Sequence, residues 1–173
     1  MTERQWIRDA LDRFEGPLLL YARRLTGDAE RARDVVQDTF LKLCRQRRAD
    51  VSARLAEWLY TVCRNAAIDV RRKERVMRVV PSEEVKGGVA AEASPAAQVA
   101  YKEQQERLLD LLDRMPAKQQ EVLRLKFQGG LSYKEISRVT GESISNVGVL
   151  LHVGLRGLRA RVQAQETEGQ VTS

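Results

Sequence analysis

Apolar residues recur at helical spacing through the first 75 residues and again beyond residue 100. The first run predicts a leading helix from about Glu3 to Leu25, offset at Gly16-Pro17, where proline removes a backbone donor. Thr26-Gly27-Asp28 reads as a turn with Asp28 as the next N-cap. The second helix, to about Arg45, carries Ala32, Val36, Phe40 and Leu43 on one apolar stripe. A polar loop, Gln46 to Ser52, leads to a third helix from about Ala53 to Arg75. Its expected buried stripe is Leu55, Leu59, Val62, Ala66 and Val70, with Trp58 in the core.

The second run is punctuated as a helix-turn-helix. Met115-Pro116 opens a helix and Gly129-Gly130 closes it. Ser132 and Glu135 form a capping-box pattern at the start of a short helix that ends at Thr140-Gly141. Ser143 can cap a longer helix to about Val162, with Ile144, Val147, Leu151, Leu158 and Val162 facing inward. A short helix, a glycine turn and a second helix form the arrangement that lays the second helix in a DNA major groove.

Between the two runs lies VMRVVPSEEVKGGVAAEASPAAQV, residues 76–99, with two prolines, a Gly pair and no sustained apolar period. It reads as a flexible linker. The expected organisation is therefore all-α: one helical domain over 1–75, a linker over 76–99, a helix-turn-helix domain over 100–163, and a disordered tail over 164–173. Composition agrees, with 43% hydrophobic and only 5% aromatic residues in a chain of 173. A formal charge of +6, most of it in the first 75 residues, suits a polyanionic partner. Cys44 and Cys63 sit in helical patterns without ligand-like companions and read as buried thiols of a reducing compartment. No apolar leader or membrane-length run is present, so a cytoplasmic protein without membrane insertion is expected.

Three surfaces can carry chemistry. On the second helix, Asp34, Gln37, Asp38 and Leu41 recur opposite the apolar stripe as an acidic ridge with an apolar spot. By spacing alone such a ridge is more often a solvated face than a docking surface for a basic helix. The third helix ends in Arg71-Arg72-Lys73-Glu74-Arg75. With Arg64, five cations form an edge suited to phosphates, and the neighbouring aromatics can stack unpaired bases. The last helix leaves Ser145, Asn146, Gly148, Val149, His152 and Val153 outward. Ser145 and Asn146 lie on the first turn, where base edges are read, and asparagine can pair bidentately with adenine. Lys118, Ser132, Tyr133 and Lys134 lie near helix starts, where phosphates are held. His152 has no Cys, Asp or Glu at ligand or triad spacing.

The segments GDAERARDVVQDTFLKL, EWLYTVCRNAAIDVRRKER and MPAKQQEVLRLKFQGGLSYKEISRVTGESISNV together resemble a bacterial RNA polymerase sigma factor of the extracytoplasmic-function group. The resemblance covers roughly residues 10–75 and 105–162. It implies a first domain that binds the clamp helices of the polymerase β′ subunit and opens the −10 element, and a second that reads the −35 element. It assigns Asp34, Gln37, Asp38, Phe40 and Leu41 to core binding, which turns the acidic ridge from a solvated face into a docking surface. Tyr60, Arg64, Asn65, Arg71, Arg72, Lys73 and Arg75 fall to the −10 strand. Lys118, Ser132, Tyr133, Lys134, Ser145, Asn146, Gly148, Val149 and His152 fall to the −35 element. The implied partners are core polymerase through β′ and β, promoter DNA, and an anti-sigma factor. Residues 76–99, fully extended, reach about 80 Å. A promoter spacer of roughly 16 base pairs covers about 55 Å.

Two departures stand out. Family members carry Lys or Arg on the exposed face of the −35 helix, whereas Gly148 to Leu155 has none. Weak phosphate anchorage, or cover by another protein, is expected there. The loop Ala49 to Arg54 lacks the aromatics common before the Trp-Leu pair, which leaves −10 base preference unread. A stand-alone helix-turn-helix regulator is the alternative reading. An enzyme is not expected: no paired-carboxylate motif, phosphate-cradling glycine loop or metal-spaced cluster is present, and no cofactor or metal is implied.

Overall fold

The Thr2 hydroxyl accepts the Gln5 amide and starts α1 (Glu3–Thr26), which runs unbroken through Pro17. The expected offset at Gly16-Pro17 does not occur. Phe14 and Leu18 are buried on either side of the proline, and that packing offsets the missing intrahelical hydrogen bond. The computed structural model describes residues 2–77 and 96–171. Most of the expected linker, 78–95, lies outside the described residues; its first two residues close α4 and its last four open α5.

Asp28 caps α2 (Ala29–Leu43) by accepting the Glu30 and Arg31 amides. The segment expected as a polar loop holds a short helix, α3 (Arg48–Val51), followed by a 3-10 turn at Ser52–Arg54. Arg47 and Asp50 pair across its first turn at 2.9 Å, and Val51 anchors it in the core. Next comes α4 (Leu55–Met77), and α1, α2 and α4 pack as a three-helix unit. Its interior holds Leu18, Tyr21 and Ala22 of α1, Val35, Val36, Thr39, Phe40 and Leu43 of α2, and Leu59, Cys63 and Ala67 of α4.

The buried line of α4 is thus Leu59, Cys63 and Ala67, with Leu55, Ala66 and Val70 flanking it half-buried. Val62, expected on the buried stripe, is only half-buried; Cys63 is buried as expected of a core thiol, and Tyr60, given to the −10 strand, is buried too. Helices on two sides of α4 bury more than one stripe, so a single-face reading is rotated by about a residue. Cys44 also departs from expectation: it lies exposed just past α2, while Cys63 is buried.

The second unit comprises α5 (Ala96–Asp113), α6 (Ala117–Phe127), α7 (Tyr133–Thr140) and α8 (Ile144–Val171). Ser132 accepts the Glu135 amide while the Glu135 carboxylate accepts the Ser132 amide, completing the capping box. Gly141, at φ 78°, ends α7 in the left-handed region that a side chain would strain. Val122, Leu125, Leu131, Ile136, Val147 and Leu151 form the interior. Ile144, expected inward, is exposed on the first turn of α8. The last helix also continues to Val171, beyond the expected end near residue 162, through a stretch rich in Gln and Glu, both good helix formers.

The two units are not separate. Helix α7 packs on α4, and the buried residues of both units form one continuous cluster. Among the described residues there is no strand.

Candidate nucleic-acid interface

Helix α2 turns Ala32, Val35, Val36, Thr39, Phe40 and Leu43 inward, which leaves Asp34, Gln37, Asp38 and Leu41 exposed together. Leu41 is 54% exposed, a large apolar side chain standing among carboxylates. Asp38 pairs with Lys42 at 2.9 Å along the same face. Phe40, assigned to the same contact surface, is buried instead and can only support the ridge from beneath.

Asn65 near the middle of α4, and Arg71, Arg72, Lys73 and Arg75 at its end, are exposed. Arg72 pairs with Asp69 at 2.7 Å, and Arg71 donates to the Leu25 carbonyl at 3.3 Å. Glu74 is bound by Arg31 of α2, so one anion is withdrawn from the cationic edge.

Tyr60 and Arg64 do not belong to that exposed edge. Tyr60 is fully buried, its ring meeting Tyr21 edge-on with centroids 5.2 Å apart. Gly129 of the second unit lies directly against it. Arg64 donates through Nε to Glu121 of α6 at 2.6 Å, and Tyr21 donates its hydroxyl to the same carboxylate oxygen at 2.7 Å. Burial works against the Arg64 charge, but the Glu121 hydrogen bond and carboxylate outweigh it and hold the guanidinium firmly protonated. Burial, reinforced by the Glu121 charge, raises the Tyr21 hydroxyl well above its ordinary range. A second pair, Arg138 of α7 with Glu57 of α4 at 3.0 Å, joins the units further along. Two residues assigned to the −10 strand are therefore covered by the domain assigned to the −35 element.

On the helix-turn-helix, Ser143 accepts the Asn146 amide at 3.1 Å and starts α8. Ser145, Val149, His152 and Val153 are exposed along it, and Gly148 lies beside the Tyr133 ring. Tyr133 and Lys134 are exposed at the start of α7, where Ser132 is occupied as the cap. Lys118 and Asn146 both bind Glu142, Lys118 at 2.7 Å and the Asn146 side-chain amide at 2.6 Å. The Lys118 ammonium and the Asn146 amide hold the Glu142 carboxyl below the usual carboxylate range. Periodicity missed Glu121, Glu142, Glu57 and Arg138. A weak signal for Glu121 existed, since it is the lone acid in α6 among Lys118, Arg124 and Lys126.

Leu108, Leu109, Leu112, Leu123, Leu155 and Leu158 line an apolar groove of about 370 Å³ on the second unit, and Leu20 of α1 adds to its wall. Among the described residues, no group of His, Cys, Asp and Glu could hold a metal ion, and no helix is long and apolar enough to cross a membrane.

A three-helix unit followed by a helix-turn-helix, each with charged faces outward, defines a DNA-binding transcription protein of the two-unit helical class. Residues 11–76 match the family model for sigma-70 region 2, and residues 105–158 match that for sigma-70 region 4. The chain is 32% identical to the ECF RNA polymerase sigma factor SigL of Mycobacterium tuberculosis, covering 94% of this chain and 92% of that protein. It is 31% identical to SigM of Bacillus subtilis, over 79% and 82% of the two chains. It is 30% identical to the RNA polymerase sigma factor CarQ of Myxococcus xanthus, over 92% and 94%. The fold is also that of the sigma factor RpoE solved with the anti-sigma factor NepR from Bartonella quintana. There the TM-score is 0.65 and the identity 23%, over 90% of this chain and 96% of that one. The chain belongs to the ECF RNA polymerase sigma factors, proteins that direct transcription initiation. The region 2 match across the first unit sets aside the stand-alone regulator.

Proposed function

We propose that this sigma factor works in the cytoplasm by binding and positioning alone, with no catalysis of its own. It docks on core polymerase through the exposed ridge Asp34, Gln37, Asp38 and Leu41, while Phe40 holds the ridge in place from the core. The ridge carries the reading: three polar side chains and one exposed leucine offer both charge complementarity and an apolar anchor to a basic helix of β′. The apolar groove walled by α5, α6 and α8 is the matching surface for an apolar segment of β.

Promoter reading divides by helix. Asn65, Arg71, Arg72, Lys73 and Arg75 stand ready for the melted −10 strand, and Tyr60 and Arg64 join them once uncovered. Melting draws on contacts to the exposed strand, because unstacking costs a few kcal/mol per step. At −35, Lys134 and Tyr133 meet phosphates. Val149 and Val153 present methyl groups to thymine methyls in the major groove, beside Ser145, Asn146, Gly148 and His152. The apolar reading face also offers an anti-sigma factor a surface without charge to desolvate. The decisive experiment is in vitro transcription with purified core polymerase, comparing wild type with a joint charge reversal at Asp34 and Asp38. Initiation is expected to fall at least tenfold; full activity in the reversed variant would refute the core-binding assignment.

A further inference from the structure

We propose that Glu121 is an internal stand-in for a DNA phosphate, closing the free chain by occupying the anion site of Arg64. This rests on the reading of Arg64 as a −10 strand contact. A carboxylate and a phosphate oxygen offer a guanidinium the same charge-assisted hydrogen bond. In the closed chain that bond goes to Glu121 Oε1 at 2.6 Å, and the Tyr21 hydroxyl fixes the same oxygen at 2.7 Å. The pair is sheltered, with 22% and 14% of the two side chains exposed, so water screens it far less than a surface ion pair.

Three further contacts close with it. Arg138 reaches Glu57, whose side chain is only 10% exposed. Gly129 packs against Tyr60 with no room for a side chain. Leu20 of α1 walls the apolar groove of the second unit. One closure therefore withdraws Arg64 and Tyr60 from the strand and narrows the groove. Docking that separates the units frees all of these groups at once, and the Arg64 site passes from carboxylate to phosphate. A free chain held this way binds single strands weakly, because only its open fraction is competent.

The test measures fluorescence anisotropy of a labelled single-stranded −10 oligonucleotide with the free, full-length chain, alongside its radius of gyration by X-ray scattering. Glu121→Gln keeps the side-chain shape and removes the charge. It is expected to bind the strand roughly fivefold more tightly than wild type and to enlarge the radius of gyration. Adding Arg64→Gln to Glu121→Gln should abolish the gain, since the gain runs through that guanidinium. Arg138→Gln, at the exposed end of the other pair, provides a second opening variant and should shift affinity in the same direction. Equal strand affinity and equal dimensions in all variants overturn the proposal, even if the wild-type holoenzyme initiates normally. Tighter binding by Glu121→Gln that Arg64→Gln reverses upholds it, even if charge reversal of the Asp34 and Asp38 ridge leaves initiation intact.

Discussion

Gly129 lies so close beneath the Tyr60 ring that a Cβ at its position would fall 2.8 Å from Cε2 and 2.8 Å from the Leu125 carbonyl oxygen. One of those neighbours is backbone and the other is a ring held against Tyr21, so neither yields easily. Gly129→Ala is expected to destabilise the chain by about 1–3 kcal/mol through overpacking. Urea unfolding followed by circular dichroism measures this, and a variant as stable as wild type would show that the contact between units is loose.

Phe40 and Leu41 are adjacent in sequence and opposite in consequence. Phe40 is buried, so Phe40→Ala should cost about 3–5 kcal/mol of stability. Leu41 is exposed, and Leu41→Ala should leave stability within about 0.5 kcal/mol. Affinity of the Leu41 variant for core polymerase should fall roughly tenfold, as for a hot-spot residue. Thermal unfolding and equilibrium binding to purified core separate the two effects.

The two thiols should behave differently. Cys44 is exposed and should react with a thiol reagent at once, whereas buried Cys63 should react only on unfolding. Burial raises the Cys63 thiol from 9.0 to about 12. Between those values the unfolded chain has lost the proton and the folded chain keeps it, so stability falls as pH rises. The slope is about 1.4 kcal/mol per pH unit. Compared with Cys63→Ala, wild type should lose its advantage across pH 9.0 to 12 and hold it steady below. A pH-independent difference would contradict the burial of this thiol.

Thymine methyls at the −35 element can be removed one at a time by deoxyuridine. If Val149 and Val153 read them, each substitution at a contacted position should weaken holoenzyme binding roughly fourfold. Val149→Ala should weaken binding to the natural promoter and blunt the deoxyuridine effect, a coupling that a double-mutant cycle measures. The −35 element's own share of the salt dependence, read as the difference in slope between the full promoter and one lacking that element, should be small, because Gly148 to Leu155 carries no cation.

Helix boundaries were legible wherever a side chain performs a local task. Asp28, Ser132, Ser143 and Gly141 each mark an end through a bond or backbone angle confined to a few residues. The acidic ridge was equally plain, since it follows from period alone. Registers set by a second neighbour were not legible. Tyr60 lies off the single apolar stripe, and its burial comes from Tyr21, 39 positions earlier, and Gly129, 69 positions later. Arg64 and Glu121 likewise meet across 57 positions, a distance at which spacing carries no information. Val51 could not be recognised as an anchor in a segment whose neighbours are all polar or small.

Glu142 gives the first turn of α8 a property that an unencumbered asparagine would lack. One hydrogen of the Asn146 amide is already committed to that carboxylate. The edge-on approach that matches adenine requires the amide to swing away, so an old bond breaks as the new one forms. Discrimination at this base position is then the difference between two hydrogen bonds rather than the whole of one. Replacing Glu142 by an uncharged residue would sharpen the preference for adenine at this position without substituting any residue assigned to the DNA.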